Sequence, residues 1–375
     1  MPAKHAFVLS SVLALVQVVS LNGEDQKPTL TFQQVVKKHF SKWDANHDGK
    51  LSGEELVKCI ESPATKGTEA AAVVALYRAW RQATKGKTAL PPLTLAGLLE
   101  PNDTSVARIS SSYVTYWQRM QGARRHLFPE QGPGLKGFHQ GKEGDCYFLS
   151  TIAMLAHQRP AALRTLVRQR PGGGFEVKFG NGRHTVVRSV TDAELAIGAS
   201  AREQGLWPIV LEKAYGQLQA AKVKPGSLPE GAVDRMGHGG DGQWTIEAVT
   251  GNKAGYVSIK RLSEAKRVSV VHEVLVKSTP RKMVVVAATG NDSKVPPGMS
   301  SGHDYGVLGY DVKRLVVHVW NPWGHVYEPK GPAGLKFGYP TQQGRFEMPL
   351  NEFVQLFVSL YYETPKPKQK PKKRA

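Results

Sequence analysis

The stretch QGKEGDCYFLSTIAMLA, Gln140 to Ala156, joins a glycine-bearing loop directly to an apolar helix and sets a cysteine at the junction. Phe148, Leu149, Ile152 and Leu155 recur at helical spacing, so Cys146 falls in the first turn. A helix N-terminus carries partial positive charge and free N–H groups, which favour a thiolate. Asp145 is expected to cap this helix. Gly141 and Gly144 are expected to let the backbone pass close to a substrate. Gln140 could aim a side-chain N–H at a developing oxyanion, beside the backbone N–H of Cys146. Alone, the stretch also reads as a buried cysteine in a tight turn, so the decision rests on a base from elsewhere in the chain.

Two β-rich runs, SGHDYGVLGY (Ser301 to Tyr310) and LVVHVWNPWG (Leu315 to Gly324), flank a polar turn and predict an antiparallel hairpin. A turn centred on Val312 and Lys313 pairs Tyr310 with Leu315. Continued back, that register sets Asn321 opposite Asp304 and Pro322 opposite His303. His303 and Asn321 then arrive together at the open end, where the amide can orient the imidazole and the imidazole can take a thiol proton. His318 is expected mid-strand on the face opposite Val317 and Val319. His238 and His325 lie in glycine-rich loops with no paired orienter.

These residues carry a resemblance. QGKEGDCYFL resembles the cysteine motif of the calpain family of papain-like cysteine proteases, GHDYGVLG its histidine motif and WNPWG its asparagine motif. Trp207 to Tyr215 (WPIVLEKAY) and His238 to Gly251 resemble the segments between them, in the same order. The resemblance implies an α+β fold: a papain-like core of two subdomains with the active site between them. The helical one, about 125–252, would carry Gln140 and Cys146. The β-rich one, 253–363, would carry His303 and Asn321, and the whole core would span 110–363. Trp323 would shield the His–Asn hydrogen bond, and Gly290 to Gly302 would be a mobile loop gating the cleft. Departures from the family pattern are Tyr147 in place of tryptophan, and Lys142-Glu143 in place of a small and an apolar residue. Gly137 stands where calpain cores place an acidic calcium ligand. Asp234 lies near another wanted ligand, in a loosely matching segment, so calcium activation of the core is doubtful.

Nearer the front, DANHDGKLSGEE (Asp44 to Glu55) resembles an EF-hand calcium loop. Oxygen ligands fall at positions 1 (Asp44), 3 (Asn46) and 5 (Asp48), a glycine at 6 (Gly49) and a backbone carbonyl at 7 (Lys50). Ser52 stands at 9, through water, and a bidentate Glu55 at 12. Phe32, Val35, Val36 and Phe40 stripe the entering helix; Leu56, Cys59 and Ile60 share a face of the leaving one. The segment from Glu69 to Glu100 has the shape of a partner hand, yet between those two residues there is no acid. A small all-α module, 28–103, with one calcium site and one metal-free hand is expected.

The termini address location. Lys4 followed by the apolar run Ala6 to Val19 reads as a signal peptide over 1–20, which implies a secreted or periplasmic protein. The run is shorter than the roughly 20 residues that span a bilayer. With two cysteines in the chain, and Cys59 and Cys146 both accounted for, no disulfide is expected. The formal net charge of +19 is partly local, since Thr364 to Ala375 holds six cations and no acid. That tail is expected to be extended and disordered, either solubilising or a tether to an anionic surface. No aromatic residue interleaves its cations, so a nucleic-acid platform is not expected. Apolar residues at 41% suffice for real cores. Together these features describe a secreted, monomeric cysteine endopeptidase acting on proteins or peptides, with Ca²⁺ at an N-terminal loop. The alternatives are a non-catalytic calcium-dependent binding protein on a protease fold, and acyl transfer to an amine through the same triad.

Overall fold

The computed structural model describes residues 27–141, 143–220 and 229–364. The expected signal peptide and the basic tail beyond Thr364 lie outside the described residues. The described residues begin with five helices: α1 (Phe32–Trp43), α2 (Gly53–Glu61), α3 (Gly67–Thr84), α4 (Leu95–Leu99) and α5 (Thr104–Gln121). The cysteine helix α6 (Cys146–Gln158) and α7 (Pro160–Arg164) follow. Next come three short strands, β1 (Val167–Gln169), β2 (Phe175–Lys178) and β3 (His184–Val187), then α8 (Asp192–Ile197), α9 (Trp207–Gln219) and α10 (Gly242–Thr250). The last third holds β4 (Ala254–Ser258), α11 (Glu264–Ser278), β5 (Val285–Thr289), β6 (Asp304–Asp311), β7 (Val316–Trp320), β8 (Arg345–Pro349), α12 (Leu350–Leu356) and β9 (Phe357–Glu363). Mixed helix and sheet agrees with the α+β expectation.

The sheet of six strands runs in the order β4-β9-β5-β6-β7-β8, so the final strand of the described residues is inserted between β4 and β5, one strand in from the edge. One face carries Tyr305, Val307, Val317 and Val319 into a core shared with α11 and α12. The other face lies on the helical half, with α6 against β5 and β6 and α10 against β4 and β9. Gly306 makes that approach close: a Cβ there would stand 2.5 Å from Met154 Cε of α6.

The first helices are not a separate bead. Phe32, Val35, Val36, Leu56 and Ile60 bury the stripes read from the sequence, and one apolar cluster continues from them through α3 and α5 into α6, α9 and α10. Polar clasps reinforce the joint. Gly67 N–H donates to Asp192 Oδ2 at 2.8 Å, and the Thr191 hydroxyl donates to the Ile60 carbonyl at 2.7 Å.

The β6–β7 hairpin departs from the expected register. Tyr310 pairs with Val317 and not Leu315, because the turn runs from Val312 to Leu315, with Leu315 in the left-handed region (φ 53°). A bulge at Leu308 then takes back one residue, so Gly306 faces Trp320. The two-residue offset at the turn becomes one at the open end. His318 sits as expected on the face of β7 opposite Val317 and Val319, 3.1 Å from Glu347.

Candidate active site

His303 immediately precedes β6, and Asn321 follows the last residue of β7. His303 Nε2 lies 2.9 Å from Asn321 Oδ1, with both residues buried. The backbone N–H of Trp323 donates to the same oxygen at 3.0 Å. An oxygen that accepts two hydrogen bonds fixes the tautomer: Nε2 carries the hydrogen, and Nδ1 is left with its lone pair. The Trp323 ring lies 4.8 Å from the imidazole, centroid to centroid, and is half exposed, the placement expected of a shield.

Cys146 is the first residue of α6. It lines the same cavity of about 660 Å³ as His303, Gln140 and Trp323. The two walls are stitched by backbone, since Gln140 N–H donates to the Pro322 carbonyl at 2.6 Å. The segment 290–302 forms one rim, with Ser301 and Gly302 in the lining. Gly302 N–H donates to the Gly290 carbonyl at 2.9 Å, and the Thr289 hydroxyl donates to the Ser300 carbonyl at 2.8 Å, which ties the base of this loop.

Several side chains sit differently from expectation. Asp145 stands at the N-cap of α6 as expected, but its side chain makes no capping bond; it is fully buried, and its carboxyl turns inward beside Glu212. Burial first, then the Glu212 charge, pushes its pKa well above the usual carboxylate range. Gly141 makes room for the protein's own backbone: a Cβ there would stand 2.2 Å from the Ile197 carbonyl oxygen. Gln140 Nε2 donates to the Glu143 carbonyl at 2.5 Å, so its donor is directed at the loop and not into open space. Asp234 is buried against α3, 3.3 Å from Arg81 Nη1. Gly137 (φ 66°) has Glu203 packed beside it, which pairs with Lys136 at 3.3 Å. Both cysteines are free, and burial pushes the Cys59 thiol up to about 11. His238 is exposed and bound to Glu230 at 2.7 Å; His325 Nε2 lies 2.9 Å from the Gly298 carbonyl.

The electrostatics favour neutral groups. Burial lowers the His303 pKa to about 4, only partly opposed by the bond to Asn321. Burial and then the Asp304 charge push the Cys146 thiol far above its ordinary value. Its Sγ points to Asp304 Oδ2, 3.7 Å away. Sequence reasoning passed over Asp304. The signal was available: alternation places it on the same face of β6 as Gly306, an acid on a face otherwise turned to an apolar helix.

At the front, α1 and α2 flank the loop 44–52 as a helix–loop–helix, with Gly49 at φ 77°. Leu51 N–H donates to the Leu93 carbonyl at 2.8 Å, which joins this loop to the segment between α3 and α4. The side-chain oxygens are turned onto loop amides. Asp44 Oδ2 accepts from Gly49 N–H at 2.9 Å, and Asp48 Oδ1 from Lys50 N–H at 2.8 Å. Glu55 accepts from Ala45 N–H and Ser52 N–H, at 2.9 and 2.8 Å. Burial opposes ionisation of Glu55, but the bonds from Ser52, Asn46 and Ala45 together outweigh it and lower its pKa. Among the described residues no three His, Cys, Asp or Glu side chains are grouped as metal ligands. The donor chemistry, all hard oxygen around a left-handed glycine, nonetheless suits calcium.

The profile of the calpain family cysteine proteases matches residues 99–334, more than half of the 375. The chain belongs to the calpain family. Among curated calpains, rat calpain-13 is 22% identical over 264 residues, which cover 62% of this chain and 37% of the relative. Rat calpain-9 is 27% identical over 218 residues, 52% of this chain and 29% of that one. The calpain-type cysteine protease ADL1 of Oryza sativa subsp. japonica is 24% identical over 59% of this chain and 11% of its own length. The chain thus spans about a third or less of these calpains. A solved procathepsin L 3 of Tenebrio molitor aligns over 88% of this chain and 99% of its own, at 11% identity and a TM-score of 0.21. The calpain match begins at Leu99, the last residue of α4, so most of the helical front end precedes it.

Proposed function

We propose that this calpain-family chain is a secreted cysteine endopeptidase working through Cys146, His303 and Asn321. The observation that carries the reading is the buried bond from His303 Nε2 to Asn321 Oδ1, in the cavity that Cys146 lines. It leaves Nδ1 as a base. His303 takes the Cys146 proton as sulfur attacks the scissile carbonyl, then gives it to the departing amine. Water hydrolyses the acyl-enzyme by the same path in reverse. Asn321 holds the ring, and the Cys146 N–H with Gln140 would receive the oxyanion once Gln140 leaves the Glu143 carbonyl.

Calcium belongs to the loop Asp44–Glu55 in this reading. Asp44, Asn46, Asp48, the Lys50 carbonyl, Ser52 through water and Glu55 would hold it, and the ion would brace the helical front end. Cleavage at the signal peptide would deliver the enzyme outside the cytoplasm, as a monomer acting on protein or peptide substrates. The basic tail would contact an anionic surface.

One observation favours the rival, a calcium-dependent binding protein: sulfur points to Asp304 and not to His303. A peptidyl chloromethyl ketone separates the two. The protease reading expects covalent labelling of Cys146, detected by mass spectrometry and lost in His303→Ala. Equal labelling in both, or none in either, would favour the binding protein.

A further inference from the structure

Asp304 opens β6, directly after His303, and Cys146 Sγ donates to its Oδ2 at 3.7 Å, while the Asp304 backbone also hydrogen-bonds the sulfur. Its position is held from two sides. Its carbonyl accepts from the Ser150 hydroxyl of α6 at 2.9 Å, and its Cα pairs with Ala288 of β5. Sulfur and carboxylate are therefore fixed against each other by the packing of α6 on the sheet.

We propose that Asp304 is a positioning residue for the nucleophile: as a carboxylate it accepts the Cys146 thiol hydrogen and withholds it from His303, and as the neutral acid it releases the sulfur to the imidazole. The inference rests on Cys146 being the nucleophile. A carboxylate stabilises the thiol as donor and repels the thiolate; a carboxylic acid can donate its own O–H to the thiolate. Release therefore takes one proton from solvent onto Asp304, after which the S–H proton is free to pass to Nδ1.

The surroundings set the pH range. Burial raises the Asp304 carboxyl to about 6, with the thiol bond offsetting only part. The titratable groups around it are Cys146, Asp145 and Tyr147 from the α6 side, His303 and Tyr305 beside it, and Tyr361 from β9. His303 stays neutral down to about 4. Between these two values the acid form of Asp304 coexists with a basic imidazole, so the nucleophile is released in mildly acidic solution and held at neutral pH.

The test is alkylation of Cys146 by iodoacetamide, followed by mass spectrometry from pH 4.5 to 8, in the full chain carrying Cys59→Ala so that one thiol reacts. Asp304→Asn and Asp304→Ala are compared with Asp304. At pH 7.5 both variants are expected to react about tenfold faster, the factor for one unit of thiol pKa; at pH 5 the three rates converge. A ratio that is the same at pH 5 and 7.5, or no acceleration, overturns the proposal, as does acceleration in the alanine variant alone. Asp304→Asn keeps the shape of the side chain and decides the matter if Asp304→Ala fails to fold. Casein cleavage measured in parallel separates the two claims. Absence of cleavage by any variant across the range removes the protease reading while the alkylation ratio still decides Asp304. Cys146-dependent cleavage with a flat ratio removes Asp304 alone.

Discussion

In the proposed mechanism Asn321 acts through a single oxygen. With Asn321→Ala the imidazole loses its orienter and Nδ1 its fixed direction, and a misplaced base costs about 10²-fold in kcat. KM should change little, because the amide is buried behind the ring, so a kcat–KM split on a peptide substrate checks it. A second histidine reports on stability. Burial, then Arg119 and Arg202, lowers the His139 pKa to about 4. The native imidazole thus stays neutral where the unfolded one protonates, near 6.5. Its contribution is full above that pH and is lost as pH falls toward 4, by roughly 3 kcal/mol at most. His139→Gln should therefore flatten the fall in Tm between pH 6.5 and 4.5. At this scale the approach of Cys146 and His303 to one cavity and the bond from His303 to Asn321 were legible, because each residue sits in a short motif whose residue types the proposed chemistry demands. Asp304 and Asp145 were not. An acid beside a histidine, or before a helix, has a bland local reading, and only the packing of α6 on β6 and of Glu212 on Asp145 gives it another.

Among the elements, the hairpin was legible and its register was not. A polar turn between β-rich runs says that two strands pair, but not that Leu315 adopts a left-handed conformation or that Leu308 bulges. The helices of the front end were legible from their stripes; what they do to the rest was not. Arg78 of α3 pairs with Glu143 in the cysteine loop, and Arg81 with Glu230 and Asp234. Asp234, read as a candidate cation ligand, has its cation supplied by α3. Arg81→Met should cost about 3–5 kcal/mol, because it leaves the buried Asp234 without its cation. The urea midpoint measures that loss, and part of it should return in Arg81→Met combined with Asp234→Asn. For the loop Asp44–Glu55, Glu55→Gln removes the expected bidentate ligand. Calorimetry with calcium should show one site in the parent chain and a large loss of affinity in the variant.

Across the whole molecule, the helical front end and the cysteine half share one apolar cluster, and the final strand lies inside the sheet. Deleting residues 27–103 should give an insoluble or unfolded chain by circular dichroism, since it bares α5 and α8 and strips Arg78 and Arg81 from buried acids. The cleft lies where the two halves meet, with sulfur from one and imidazole from the other. The most direct test of a working triad is the cleavage of unfolded casein under reducing conditions, from pH 5 to 8, by the intact chain and by Cys146→Ala. Cleavage by the intact chain that vanishes in the variant, with its Tm preserved, is the expected result. Equal cleavage by both proteins would contradict it, and so would none by a folded intact chain with its thiol shown to be reduced.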